Sequence, residues 1–426
     1  MPYEVKKSKQ KMQKMNIKTL SFGCRLNALE SEKIAKGLKS IIDTAILVNT
    51  CSVTGEAERQ SAQTVRKLSR ENPNAVIFVT GCGATRNPGL FSKIPHVIVI
   101  DNADKMDISK YKAALKSANF EIVCPNISMF KNAETPLSKQ FVQIQNGCNH
   151  DCTYCVTRLL RGPSISFSYS EILNEVKSAT NNGFYEIVLT GVDTASYVRI
   201  DDGKPFLLSD ICACLLKDVP EMQRLRLSSI DPASPEILKI IDLMKQNPRF
   251  MPHLHLSMQS GSDSILTAMR RRHNAEMLRN IVKIANTNFQ ISFSADIICG
   301  FPGETDELFN ETADLIRELN LIHVHAFPFS PRPNTVAATM PNQIPHETAK
   351  KRVKIISEIA DINRAEFMKN QIGKIVSILV EEKNIGRTPD DIDVKIDGGL
   401  VPNKTICDVK ITGVDGNIFT GIIVKK

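Results

Sequence analysis

Near the start of the chain, three segments share a pattern that few architectures can accommodate. Residues 18–24, 45–51 and 75–82 are each a β-prone, largely apolar run that ends on a cysteine: Cys24, Cys51 and Cys82. Successive cysteines are 27 and 31 residues apart, enough for one strand, one turn and one helix. Helical periodicity fills the intervals at 29–39 and 56–71, the second stopping before Asn72-Pro73. Repeated βα units predict a parallel sheet, completed by a further strand over 96–100. Loops at the carboxyl ends of adjacent parallel strands gather on one edge, where ligands bind in such folds. Three thiols far apart in sequence would therefore converge. Gly23 and Gly81, just before two of them, permit the tight turns that aim the side chains. Taken alone, the three residues read either as a metal-cluster site or as small core residues.

Residues 124–139 lack periodicity and read as a linker. Beyond them strands at 141–145, 186–189, 224–227, 253–256, 292–298 and 323–327 alternate with helices such as 170–181, 235–244 and 307–318. Six βα units predict a closed or partly closed barrel with its chemistry at the C-terminal strand ends. A basic helical stretch over 346–371 leads to short strands at 374–381, 393–394, 405–412 and 418–424, which read as a small β-barrel. The fold class is thus α/β: a Rossmann-like parallel domain, a partial (βα)6 TIM-like barrel and a C-terminal β-barrel. The expected divisions are 1–16 (a basic arm), 17–123, 124–139 (the linker), 140–370 and 371–426.

The most specific chemical signal is Gly147-Cys148-Asn-His-Asp-Cys152-Thr-Tyr-Cys155, just after the first barrel strand. Three thiolates at CxxxCxxC spacing can hold three irons of a 4Fe-4S cluster and leave the fourth open to an external ligand. The alternatives are a zinc knuckle completed by His150, or buried cysteines, which a polar, Gly-led loop disfavours.

Composition narrows the setting. The first 16 residues hold five lysines with no apolar stretch behind them, unlike a secretory leader, and no run approaches the ~18 apolar residues of a membrane span. Eleven cysteines in such a chain point to a reducing cytoplasm. Of the net charge of +8, residues 1–20 carry +5 and residues 371–426 carry 0. The excess is mostly a basic arm, either a solvated tail or a loose phosphate contact. Cys124, Cys212, Cys214, Cys299 and Cys407 read as core residues. His253 and His255, and likewise His323 and His325, alternate on strands so that each pair shares a face. They could line the barrel toward a metal or substrate, or be ordinary core and rim histidines. The turn Gly300-Phe-Pro-Gly-Glu304 lacks the Lys-Ser/Thr of a phosphate loop.

From about residue 17 to its end the chain resembles the methylthiotransferases of the radical S-adenosylmethionine superfamily. The resemblance rests on Phe22-Gly-Cys24-Arg-Leu-Asn27, Asn49-Thr-Cys51-Ser-Val-Thr54, Thr80-Gly-Cys82 and residues 145–155. It continues through Arg161-Gly162, 187–191, Gln259-Ser-Gly261, 300–305 and 329–333. Three branches of that family act on isopentenyladenosine in tRNA, on threonylcarbamoyladenosine in tRNA, and on an aspartate of a ribosomal protein. Residues 253–261, Asn72-Pro73-Asn74-Ala75 and 323–327 are similar to the threonylcarbamoyl branch. Departures are Gly83-Ala84-Thr85 where the family has Tyr-Ala-Gln, Asn334 where it has Gly, and no Gly after Tyr197. None removes a cysteine.

The resemblance implies two 4Fe-4S clusters. One is held by Cys148, Cys152 and Cys155 and chelates S-adenosylmethionine. An auxiliary one is held by Cys24, Cys51 and Cys82 and presents sulfur. All six cysteines would be catalytic. Tyr154 would lie against the cofactor's adenine, with Gly191, Asp193, Ser229, Gln259 and Asp296 as further cofactor contacts. The tail would be a TRAM domain that binds RNA. The expected substrate is threonylcarbamoyladenosine at position 37 in the anticodon loop of ANN-decoding tRNA. A flavodoxin- or ferredoxin-like donor would supply one electron, and no membrane is involved. The competing class is a non-catalytic Fe–S or zinc RNA-binding module.

Overall fold

A computed structural model of the chain describes residues 16–118, 138–201 and 203–424. The basic arm up to residue 15 and most of the expected linker, with Cys124, lie outside the described residues. The chain divides into two compact units, Met1–Ala133 and Glu134–Lys426.

In the first unit, β1 (Asn16–Ser21), β2 (Thr44–Thr50), β3 (Ile77–Gly81) and β4 (Val97–Val99) form a parallel sheet paired in chain order. Helices α1 (Arg25–Leu38) and α2 (Gly55–Glu71) bridge the first three strands, and a short α3 (Cys82–Arg86) follows β3. Leu47 and Phe78 pack with Ile34, Leu38 and Tyr111 on one face. Ile46, Val48, Ile77 and Val79 pack with Val65, Leu68 and Phe91 on the other. Burial on both faces is why these strands read as continuous apolar runs rather than alternating ones. Each such side chain contributes about 1.5–3 kcal/mol.

The second unit opens with three parallel strands, β5 (Lys139–Gln143), β6 (Glu186–Thr190) and β7 (Arg224–Leu227), hydrogen-bonded in the order β7-β6-β5. Strand pairing is interrupted at Ser228 and resumes as Ser229–Ile230, which pairs with β8 (His253–Gln259). Then β9 (Ser292–Cys299) and β10 (His323–Pro328) continue the parallel array. Among the described residues β5 and β10 do not pair, so the six-stranded barrel is open. Strand alternation divides its two surfaces. Leu254, Leu256, Met258, Phe293, Ala295 and Ile297 pack outward into the unit's main core, together with helices that include α4 (Tyr169–Asn181), α5 (Leu208–Asp218) and α6 (Asp306–Glu318). The alternate positions, among them Glu186, Arg224, Arg226, His255 and Asp296, face the lumen.

A long helix α7 (His346–Lys369) leads to a closed barrel of β11 (Ile375–Glu382), β12 (Ile385–Arg387), β13 (Asp393–Asp397), β14 (Ile406–Asp415) and β15 (Ile418–Ile423), in the order β11-β12-β13-β15-β14. The short β12 is absent from the sequence expectation. Buried Glu186 holds Arg226 at 2.9 Å and Arg224 at 3.3 Å. Arg224 donates to the carbonyls of Ser377 (2.7 Å) and Arg387 (3.1 Å), and Arg226 to those of Thr388 (2.8 Å) and Pro389 (2.7 Å). These bonds seat the small barrel on the N-terminal strand ends, opposite the end where chemistry is expected. Cys212 and Cys299 are buried in the main core, and Cys407 packs against the small barrel's core, as expected of them.

Candidate functional site

Cys24, Cys51 and Cys82 each sit directly beyond, or one short turn past, a strand of the parallel sheet. Cys24 is the extended residue that starts α1, Cys51 follows β2, and Cys82 opens α3. Side chains lash their loops together. The Asn27 amide donates to the carbonyls of Phe22 (3.0 Å) and Thr50 (3.2 Å), and the Asn49 amide donates back to Asn27 O (3.0 Å). Thr50 Oγ1 donates to Thr80 O (2.7 Å) and accepts from Ala84 N–H (2.8 Å), tying the second loop to the third. Gly23 (φ +81°) brings its backbone so close that a Cβ would stand 2.3 Å from Cys51 Sγ. At Gly81 (φ +93°) a Cβ would stand 2.2 Å from Asn49 Oδ1. Both turns require glycine for conformation and for space.

Burial pushes the Cys51 thiol up to about 11, and the facing thiols of Cys24 and Cys82 add to the rise. Such a group resists ionising alone, and a bound cation reverses that preference. Asn49 Oδ1 and Ser52 Oγ beside it are buried without a hydrogen-bond partner. Three converging thiols with orphaned polar atoms suit a metal cluster better than an apolar core.

The second triad lies in one loop. Gly147 (φ +72°) turns the chain against Pro163, whose carbonyl oxygen would lie 1.9 Å from any added Cβ. Backbone N–H groups point at two of the sulfurs: His150 N to Cys148 Sγ and Thr157 N to Cys155 Sγ, each at 3.4 Å. Arg271 Nη1 approaches Cys152 Sγ at 3.6 Å. Burial pushes the Cys148 thiol up to about 11 and raises Cys155 as well, with neighbouring thiols contributing to both. N–H donors and a guanidinium aimed at sulfur are what a thiolate-held cluster uses.

The remaining sequence candidates fall at different depths. The Tyr154 ring packs with Met269, Ile298, Phe301 and Phe329, and burial raises its phenol well above the ordinary value. Gly191 and Asp193 follow β6 on the rim. Asp193 Oδ2 is 2.8 Å from His150 Nε2 and 4.0 Å from Cys148 Sγ, so it borders the cluster loop. The Ser229 carbonyl accepts from Thr194 Oγ1 at 2.6 Å. Gln259 ends β8 in the left-handed region (φ +69°). Asp296 stands lower in the lumen, between His255 and His325.

Sequence reasoning missed three residues. Buried Gln145 accepts the N–H groups of Val192 (3.0 Å) and Asp193 (2.9 Å) on its carbonyl oxygen, while its amide donates to Gly147 O (2.6 Å). It therefore locks the cluster loop to the Gly191 loop. Arg271 also donates to Ser257 O (2.8 Å) and pairs with buried Asp231 (3.0 Å). Asp231 is held well below the usual carboxylate range despite its burial, by His273, Arg271 and Arg272. The three-arginine run 270–272 was the one available hint.

A family model described as the radical SAM superfamily matches residues 142–316, and one described as uncharacterized protein family UPF0004 matches residues 14–101. The threonylcarbamoyladenosine tRNA methylthiotransferase MtaB of Rickettsia prowazekii is 39% identical over 95% of this chain and 97% of that protein. The protein of the same name from Thermotoga maritima is 33% identical over 85% of each. The tRNA-2-methylthio-N(6)-dimethylallyladenosine synthase of Mannheimia succiniciproducens is 31% identical over 97% of this chain and 93% of its own. Among solved structures, the radical S-adenosylmethionine methyltransferase TsrM from Kitasatospora setae superposes with a TM-score of 0.55 at 12% identity, covering 76% of this chain and 74% of that one. That last likeness is one of fold.

Proposed function

The chain belongs to the threonylcarbamoyladenosine tRNA methylthiotransferase family of the radical S-adenosylmethionine superfamily, and from that premise we propose how it works. It replaces the C2 hydrogen of N6-threonylcarbamoyladenosine at position 37 of tRNA with a methylthio group. The supporting observation is the pair of thiol triads, one after β5 and one spread over β1 to β3, each gathered beyond carboxyl strand ends.

The C2 hydrogen of adenine is not acidic, so no general base on the protein removes it. When bound, 4Fe-4S clusters and S-adenosylmethionine supply a radical that takes this hydrogen and the sulfur that replaces it. The protein's own groups hold and orient. Cys148, Cys152 and Cys155 would ligate one cluster, with Arg271 balancing the charge at Cys152 and Gln145 fixing the loop. Tyr154, Gly191, Asp193, Ser229 and Gln259 would border the bound cofactor. Cys24, Cys51 and Cys82 would hold the second cluster. A flavodoxin- or ferredoxin-like donor would deliver the electron. The base would come from the anticodon loop of ANN-decoding tRNA, unpaired and splayed into the barrel mouth, in the cytoplasm. The C-terminal barrel, TRAM-like and neutral, would bind RNA more by shape than by charge.

Mass spectrometry of nucleosides from total tRNA, with and without this gene, tests the reading. Loss of 2-methylthio-N6-threonylcarbamoyladenosine with accumulation of its unthiolated precursor is expected. Loss of the dimethylallyl derivative instead would contradict the substrate, and no change would contradict the reaction.

A further inference from the structure

The lumen wall below the cluster loop carries a polar array of which only Asp296 was given an expected role, as a cofactor contact. Asp296 on β9 stands beside His325 on β10 in the strand register, and His255 on β8 stands beside Ser294. Asp296 Oδ1 lies 3.2 Å from His255 Nε2 and 3.3 Å from His325 Nδ1. His255 Nδ1 is 2.8 Å from Ser294 Oγ, and His323 Nε2 is 2.8 Å from His325 Nε2. The alternate residues Leu254, Leu256, Ala295 and Ile297 are buried in the core behind them, so the array faces inward. It is not sealed: the His325 side chain is 55% exposed and that of Asp296 30%. Asp296 precedes the end of β9 by three residues, which places the array about 10 Å below the rim.

On adenine, N1 is flanked by C2 and by C6, which bears N6. A base that enters the mouth with C2 leading therefore drives its N6 substituent along the same edge into the lumen. The threonylcarbamoyl group brings a carboxylate, a hydroxyl and a urea, whereas a dimethylallyl group brings only carbon. Against this wall the apolar group would strip water from imidazoles and a carboxylate and return nothing, at about 1–3 kcal/mol for each polar group left unpaired.

Resting on the substrate reading above, we propose that His255, Asp296, His323 and His325 form the subsite that reads the N6 substituent. The N–H of His323 Nε2, released from His325 Nε2, donates to the threonyl carboxylate. Asp296, steadied between His255 and His325, accepts from the threonyl hydroxyl. This assigns to the substrate a carboxylate that the sequence resemblance gave to the cofactor.

The test uses reconstituted holoenzyme and anticodon stem-loops identical except at position 37, which carries threonylcarbamoyladenosine, dimethylallyladenosine or adenosine. Dissociation constants are measured alongside KM and kcat. The unaltered enzyme should bind the threonylcarbamoyl form about tenfold or more tightly than the other two. His325→Leu should shrink that preference by about tenfold, raising KM more than it lowers kcat, and His325→Gln, which keeps an N–H donor, should restore part of it. A folded His325→Leu enzyme that keeps the full preference overturns the assignment. Should His325→Leu fail to fold, His323→Leu at the exposed end of the pair decides by the same comparison. An unaltered enzyme that methylthiolates the dimethylallyl stem-loop instead overturns the substrate reading itself, a result distinguishable from loss of the subsite alone.

Discussion

The two thiol triads have the same donors and opposite constructions. Cys148, Cys152 and Cys155 fall within one eight-residue loop, so their separation is largely set by local backbone: the turn at Gly147 and the N–H groups aimed at sulfur. Cys24, Cys51 and Cys82 are brought together by a parallel sheet, and their loops meet through Asn27, Asn49 and Thr50. A loop triad answers to its own residues. An assembled triad answers to everything that keeps three strands in register, including side chains that never approach a metal.

The largest expected effect removes a ligand of the loop triad. Cys152→Ala should abolish S-adenosylmethionine cleavage, a loss of at least ~10³-fold, because the cluster's own chemistry has no substitute in protein side chains. Measurable 5′-deoxyadenosine from that variant would break the assignment of the loop. Next, Gly81→Val should expel the assembled cluster, since its side chain would collide with Asn49 and the Thr50 backbone. Iron content should fall by about half, with the loop cluster's spectrum retained. Iron unchanged at the full value would show that the two sites are not separable in this way.

Leu47→Ala sharpens the contrast at a distance from any sulfur. The deletion should cost the first unit about 2–5 kcal/mol and lower occupancy of the assembled site before that of the loop site. Equal loss from both would contradict the idea that one triad depends on its sheet and the other does not. The last effect, absent at neutral pH, is a pH dependence confined to the second unit. Burial lowers His253 to about 3, below its ordinary 6.5. Between these values the unfolded chain binds the extra proton, so stability is complete above about pH 6.5 and declines as pH falls toward 3. The slope contributed is at most about 1.4 kcal/mol per pH unit. His253→Gln should flatten the acid limb of chemical-denaturation curves by that amount, and an unaltered limb would place the titration elsewhere.

What the sequence made legible follows the same division. The strands of the first unit stood out as continuous apolar runs buried on two faces, and several of the second, such as Arg224–Leu227 and His253–Gln259, by apolar and polar alternation. Cys24, Cys51 and Cys82 stood out because each ends a strand pattern, and Cys148, Cys152 and Cys155 because of their close spacing in one loop. What could not be read depends on long-range pairing. Gln145 looks like an ordinary strand residue until the Gly191 loop is seen to rest on its carbonyl oxygen. Arg271 lies 119 residues from Cys152, and no local pattern links them. Glu186, Arg224 and Arg226 resemble the polar side of half-exposed strands, yet they are buried where the C-terminal barrel docks. The three residues of β12, between Asn384 and Thr388-Pro389, were too few to carry strand periodicity. The histidine pairs were visible as same-face alternations, but that they share Asp296 was not.

The central claim is that two triads perform two tasks, and Cys51→Ala tests it most directly. Reconstituted enzyme, reductant, S-adenosylmethionine and tRNA bearing threonylcarbamoyladenosine are assayed at once for 5′-deoxyadenosine and for the methylthio nucleoside. The account predicts that the first still forms and the second does not. Methylthio product from this variant at the unaltered rate would contradict it.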